Sequence, residues 1–169
     1  MSPEPPPAEI DAVDYIKVTH DSYAALGYQA YNWAQNDDTV PLAPLAKPLS
    51  ESTVALIASG GVYRHGDIGF THKDDLTHRE VPSETPTSEL RVTHFAYDQT
   101  NAQRDPNVVF PLAALRTMRD QGEIGSLTSH ALTFMGGIYS QRRLGETLIP
   151  ALVDRVRAMN ADLALLVPV

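Results

Sequence analysis

Cysteine is absent from all 169 residues. That excludes disulfides, thiolate metal sites and a cysteine nucleophile within the chain, so redox chemistry would need a cofactor, a partner or residues not present here. No apolar run approaches the roughly 20 residues of a membrane span. No basic segment followed by an apolar one marks a secretory signal, and the expectation is a cytoplasmic protein. Positive charge is scarce: 13 Lys+Arg stand against 21 Asp+Glu, a formal net charge of −8. That balance disfavours non-specific nucleic-acid binding. Also missing are a P-loop, a GxGxxG fingerprint, a Ser-His-Asp order and paired catalytic carboxylates. No internal repeat is visible.

What is present is the composition of an ordinary globular protein, 43% hydrophobic and 20% charged. Residues 1–9 (MSPEPPPAE) are proline-rich and acidic and read as a disordered leader. Residues 10–48 read as an N-terminal helix and a proline-rich connector. Ile10, Val13, Ile16, Tyr23, Leu26, Ala30 and Trp33 recur at roughly helical spacing, interrupted by Gly27, and VPLAPLAKP (Val40–Pro48) cannot be a regular helix. Residues 49–169 read as an α/β domain.

Within that domain TVALIASGGVY (Thr53–Tyr63) has the pattern of a buried strand entering a tight Ser-Gly-Gly loop. Residues 64–88 are polar and read as a long loop, and LRVTHFAYD (Leu90–Asp98) alternates like a second strand. Pro111 in a first turn, the stripe Leu112, Leu115 and Met118, and Gly122 just past the end predict a helix. HALTFMGG (His130–Gly137) reads as a third strand. Residues 140–160 read as a helix that Pro150 kinks or restarts, and Asp162–Val167 as a last strand. Alternating strands and helices predict a parallel, doubly wound sheet of flavodoxin or Rossmann type. Ser59-Gly60-Gly61, Tyr97-Asp98, Gly136-Gly137 and Pro168-Val169 then fall at strand C-terminal ends. In such sheets that edge binds ligands.

Candidate chemistry concentrates there. The loop SGGVYRHGD permits close backbone approach to an anion at Gly60 and Gly61, with Tyr63 and Asp67 beside it; a plain turn is the competing reading. His94 and Asp98, four apart on an alternating strand, share one face and are candidate catalytic residues; a satisfied buried histidine beside a turn aspartate is the plainer alternative. Asn107 precedes a helix N-terminus, where capping is commonplace and anion binding is known. Gly136 and Gly137 form the second flexible turn. His65, His72 and His78 with Asp67, Asp74 and Asp75 match no strong ligand spacing, and no metal site is assigned.

Taken in order, VALIASGGVY, HGD, REVPSETPTSELRVTHFAYD, DPNVVFPLAALR, GEIGSLTSHALTFMGGI and DLALLVPV resemble the selenoprotein B family of glycine, sarcosine, betaine and D-proline reductases. The resemblance covers Thr53 to Val169, and its most specific pieces are DPNVVFPL and FMGG. It implies that residues 49–169 are the N-terminal part of a larger fold, with the sheet incomplete at its C-terminus. In that family the strand matching DLALLVPV leads into a redox-active selenocysteine or cysteine. The resemblance therefore implies a coding sequence truncated at a UGA codon after Val169, and no cofactor bound in these residues. It also implies reductive C–N bond cleavage in a small molecule, a pyruvoyl-type partner subunit and a thioredoxin-like electron donor. The residues expected around the nucleophile are Gly60, Gly61, His94, Asp98, Asn107, Gly136 and Gly137. Two other readings stand beside this one. One is a non-catalytic α/β module that binds a small anion or a partner subunit. The other is a metal-dependent hydrolase using the His65–His78 loop.

Overall fold

The computed structural model describes residues 14–29, 35, 37–40 and 42–169, which fall into two units divided between Leu42 and Ala43. The leader, and the helical positions Ile10, Val13, Ala30 and Trp33, lie outside the described residues. In the first unit, α1 (Tyr15–Ala25) starts at Asp14, whose carboxylate accepts the Lys17 N–H at 3.0 Å. It ends where Gly27 adopts φ +80°: the Gly27 N–H reaches the Ala24 carbonyl and the Tyr28 N–H the Tyr23 carbonyl. That pair of bonds is a left-handed glycine stop, so Gly27 ends α1 where the sequence reading had only an interruption of a longer helix.

In the second unit β1 (Thr53–Ala58) is the centre of the sheet. Its side chains alternate between two apolar layers, which is why the sequence reads as a continuous hydrophobic run. Val54, Leu56 and Ala58 pack with Phe110, Leu112 and Leu115, while Ile57 packs against Leu132, Leu148 and Leu152. Each fully buried leucine or phenylalanine contributes roughly 1.5–3 kcal/mol, so these layers fix the strand's position. The main sheet is completed by β3 (His78–Pro82), β5 (Ser126–Leu127), β6 (His130–Phe134) and β7 (Leu163–Val167). β7 pairs with β1 in parallel along its whole length. On the other side of β1, β5 and β6 both pair in parallel, with Val54 opposite Leu127 and Ile57 opposite Leu132. Thr128 and Ser129 bulge between them and are tied to Ser83, whose hydroxyl donates to the Thr128 carbonyl. β3 closes that edge antiparallel to β6.

The architecture is therefore α/β with a mostly parallel sheet, as expected, and helices cover both faces. Two expectations need correction. Residues 64–88 are not a single loop, because β3 lies within them; it reads as polar because only Val81 of its five residues is buried. Leu90–Asp98 is not a strand of the parallel sheet. β2 (Val62–Arg64) and β4 (Leu90–Val92) form a separate antiparallel pair, and the chain leaves extended pairing at Thr93.

The helices follow their punctuation closely. α2 (Thr100–Arg104) is one short turn. α3 (Leu112–Asp120) begins one residue after Pro111 and ends at Gly122, φ +74°, whose N–H reaches the Arg119 carbonyl while Glu123 reaches Met118. α4 (Gln141–Arg143) runs directly into a π-helical turn, Leu144–Leu148, and then into α5 (Ile149–Ala158). Pro150, which donates no hydrogen bond, thus sits next to a widened turn instead of a break. None of the described helices is long and apolar enough to cross a membrane.

Candidate functional site

Because β1, β6 and β7 are parallel, their C-terminal ends meet at one edge. Ser59 is the junction. Its N–H donates to the Val167 carbonyl (3.1 Å), its hydroxyl oxygen accepts the Val169 N–H (2.9 Å), and its carbonyl accepts the Gly136 N–H (2.9 Å). One residue of β1's exit thereby fixes the exits of both neighbouring strands.

The glycines around it are there because side chains would not fit. A Cβ on Gly61, at φ +68°, would lie 1.9 Å from the Thr93 carbonyl oxygen. A Cβ on Gly137 would lie 2.3 Å from the Phe95 ring. Gly60 meets Val109 in the same way, which brings the Pro106–Val109 segment to the edge. The Gly61 N–H donates to the Phe134 carbonyl at 3.0 Å and its carbonyl accepts the Thr93 N–H at 2.9 Å. Gly60, Gly61, Gly136 and Gly137 are thus brought together, and the loop after β4 is laced to them.

That loop carries His94, which is only 3% exposed. Its Nδ1 accepts the Ala96 N–H at 3.0 Å. An acceptor at Nδ1 requires the neutral ring to carry its proton at Nε2. Burial pushes the imidazole below its ordinary value and keeps it neutral. Phe95 stacks on the ring at 5.7 Å, and Tyr97 lies tilted against it at 4.7 Å. The Tyr97 hydroxyl donates to the Gly60 carbonyl (3.0 Å), and burial raises its phenol. Across Gly137, Phe95 also stacks with Tyr139 at 6.4 Å.

The other residues singled out in the sequence behave differently. Asp98 does not share a face with His94, because neither lies on a strand. It is exposed, and its carboxylate is held low by the Thr100 hydroxyl and N–H that it caps. Asn107 is used in folding: its side-chain oxygen accepts the Ala113 N–H at the start of α3, while its amide group donates to Asp105. Asp67 pairs with Arg64 at 3.2 Å in a turn beyond β2. Tyr63 lines a separate cleft of about 290 Å³ with Leu90, Val92, Ala102 and Pro106. It approaches the edge loop through the Thr93 hydroxyl, at 3.5 Å.

The long polar loop is organised by aspartates. Asp75 is buried; burial acts to raise its carboxyl, but hydrogen bonds from Thr77 and Thr71 outweigh that and bring it down. Asp74 accepts the Tyr139 N–H at 2.7 Å, holding that residue beside Phe95. Among the described residues no three histidines or carboxylates group to hold a metal ion. The sequence reading placed Ser59 at this edge but gave it no role, and it missed Phe95 and Tyr139. The signals were small: a serine directly before the glycine pair, and aromatics flanking His94 and Gly137.

What this edge can do chemically is bind a small polar molecule among backbone groups and a neutral histidine. It contains no thiol. A family model described as glycine/sarcosine/betaine reductase selenoprotein B matches residues 25–160. D-proline reductase subunit gamma of Acetoanaerobium sticklandii is 30% identical over 123 residues, covering 73% of this chain and 51% of that subunit. Sarcosine reductase complex component B subunit beta of Peptoclostridium acidaminophilum is 26% identical over 125 residues, 69% of this chain and 29% of the relative. Glycine reductase complex component B subunit gamma of Carboxydothermus hydrogenoformans is 29% identical over 108 residues, 59% and 24% respectively. The chain thus spans about half the length of the first relative and under a third of the others. No solved structure matches it.

Proposed function

The chain belongs to the glycine/sarcosine/betaine reductase selenoprotein B family, and we propose that it supplies the substrate-holding edge of a reductase that cleaves a C–N bond in a small amine. The observation that carries this reading is the convergence of three parallel strand ends and two Gly-Gly turns over a buried, neutral His94. Cleavage of a C–N bond takes up two electrons and two protons and releases the amine. With no cysteine in the chain, the selenol or thiol that delivers those electrons comes from outside these 169 residues. A pyruvoyl-type subunit that presents the amine and a thioredoxin-like protein that returns reducing equivalents are the partners of this proposal, and the relatives, subunits of reductases or reductase complexes, support a multi-component assembly.

The test is binding followed by turnover. The chain alone is expected to bind at least one of glycine, sarcosine, betaine or D-proline in a calorimetric titration and to release no amine with dithiol present. Failure to bind any of the four would remove the reading. One observation favours a second reading, a non-catalytic module that docks a partner subunit. β7 is wholly apolar in sequence, yet Leu166 is 66% exposed on it. Partner capture with no small-molecule binding is the outcome that would select this alternative.

A further inference from the structure

Among the described residues, His94 Nε2 is the one buried side-chain nitrogen or oxygen without a hydrogen-bond partner. Such an orphan in a well-packed region requires an explanation. Three features of its surroundings supply one. The Ala96 N–H fixes the acceptor at Nδ1, so the proton is carried at Nε2 and the orphan is a donor. The ring lies against the edge itself, with its Cδ2, the carbon next to Nε2, 3.6 Å from where a Cβ on Gly61 would stand. Against the ring stand Tyr97, at 4.7 Å, and an aromatic pair at the surface: Phe95, 39% exposed, stacked between His94 and Tyr139, itself 64% exposed.

The Phe95 ring is held by stacking and shape alone. Phe95 is seated against Gly137 by the absence of a Cβ, with the ring close enough that a single methyl group would displace it. The backbone beneath is held independently, by Thr93 to Gly61, Tyr97 to Gly60 and the Gln99 side chain to the His94 carbonyl. The Phe95 ring can therefore leave without unfolding the loop that positions His94.

We infer that His94 is a concealed hydrogen-bond donor for a carboxylate oxygen of a small ligand, and that Phe95 is the movable cover over it. A carboxylate suits the site because it is acceptor-only when ionised and takes a stronger bond than a neutral carbonyl from the same N–H. It also brings no hydrogen of its own needing a partner in an aromatic pocket. A substrate class of small amino acids for this donor rests on the reductase reading above; the donor and its cover do not.

The experiment uses the full 169-residue chain with ¹⁵N-labelled histidine, observed by long-range ring NMR, with acetate, glycine, sarcosine and D-proline as probes. His94 is expected to carry its proton at Nε2, and at least one probe is expected to move that N–H signal. Phe95→Ala is expected to tighten the same probe at least threefold, and Gly137→Ala, which evicts the ring by its added methyl, to act in the same direction should the first variant fold poorly. A proton found at Nδ1, or no probe shifting the His94 ring in any of the three proteins, overturns the proposal. Acetate shifting the ring while all three amines fail upholds the donor and counts against the reductase reading. Amine binding that leaves the His94 ring unmoved does the reverse.

Discussion

At Gly61 a methyl group has nowhere to go: φ is +68° and a Cβ would lie 1.9 Å from a backbone oxygen. Left-handed backbone costs an ordinary residue roughly 1–2 kcal/mol, and here the neighbour is carbonyl rather than a flexible side chain. Gly61→Ala is expected to lose at least about 2 kcal/mol of stability, measured by urea unfolding, whereas Gly66→Ala, with open space around the added carbon, loses only the conformational part. His94 makes a second prediction at this scale. Its imidazole titrates below its ordinary value of 6.5 because burial disfavours the charged ring. The unfolded chain therefore binds a proton before the folded chain does, and stability falls as pH drops below about 6.5 and continues to fall until His94 itself protonates. Glu80, lowered chiefly by its hydrogen bond from Arg155, and Asp75 add the same direction of loss only below their ordinary 4.5 and 3.8. Urea unfolding at pH 7 and pH 5 should show the drop in wild type, and His94→Phe should flatten it. An unchanged pH 5–7 slope in that variant would show that His94 is not held neutral by burial.

Elements were legible where the signal is local and lost where it is tertiary. Gly122 terminates its helix as its position implies, since a left-handed cap is encoded by the residue that adopts it, and Gly27, read only as an interruption, is a stop of the same kind. β1 was legible because a strand buried on both faces needs an unbroken apolar run. β3 was not, because four of its five residues are only half-buried and its pairing with β6 depends on residues some fifty positions away. Likewise Leu90–Asp98 alternates convincingly, yet β4 stops at Val92, its ladder with β2 reaches no further than the Thr93 N–H on the Gly61 carbonyl, and His94 beyond it is buried. At the site, Ser59 and the glycine turns could be read from the chain; the stacking of Phe95 on His94 and Tyr139 could not. Two helix predictions follow from the same local physics. Asn107→Ala removes the acceptor for the Ala113 N–H and should cost about 1 kcal/mol in urea unfolding without altering the pH profile. Gly145 lies in the π-helical turn, with no left-handed φ and nothing within 4 Å of an added Cβ. Gly145→Ala should therefore stabilise by about 0.5–1 kcal/mol, visible as a higher Tm.

Across the whole unit from Ala43 to Val169 the sheet is asymmetric. One side ends in β3, a strand with polar and charged residues and the Glu80–Arg155 ion pair (2.7 Å) as its guard. The other ends in β7, where Leu165 is 38% and Leu166 66% exposed and, among the described residues, β1 is the sole pairing partner. An apolar strand at an edge leaves one row of backbone donors and acceptors free beside hydrophobic side chains, which is the arrangement that draws chains together. The two ends also differ in consequence, because Ser59 ties the exit of β7 to the glycine turns. A displacement of β7 would therefore be felt at the glycine turns of the site. Leu166→Lys places a charge on this edge while leaving the buried layers untouched. It is expected to reduce concentration-dependent association of the chain in sedimentation velocity without lowering the urea midpoint. Equal association of the two proteins would move the sticky surface away from β7, and a fall in the midpoint would mean that Leu166 is covered by packing within the fold.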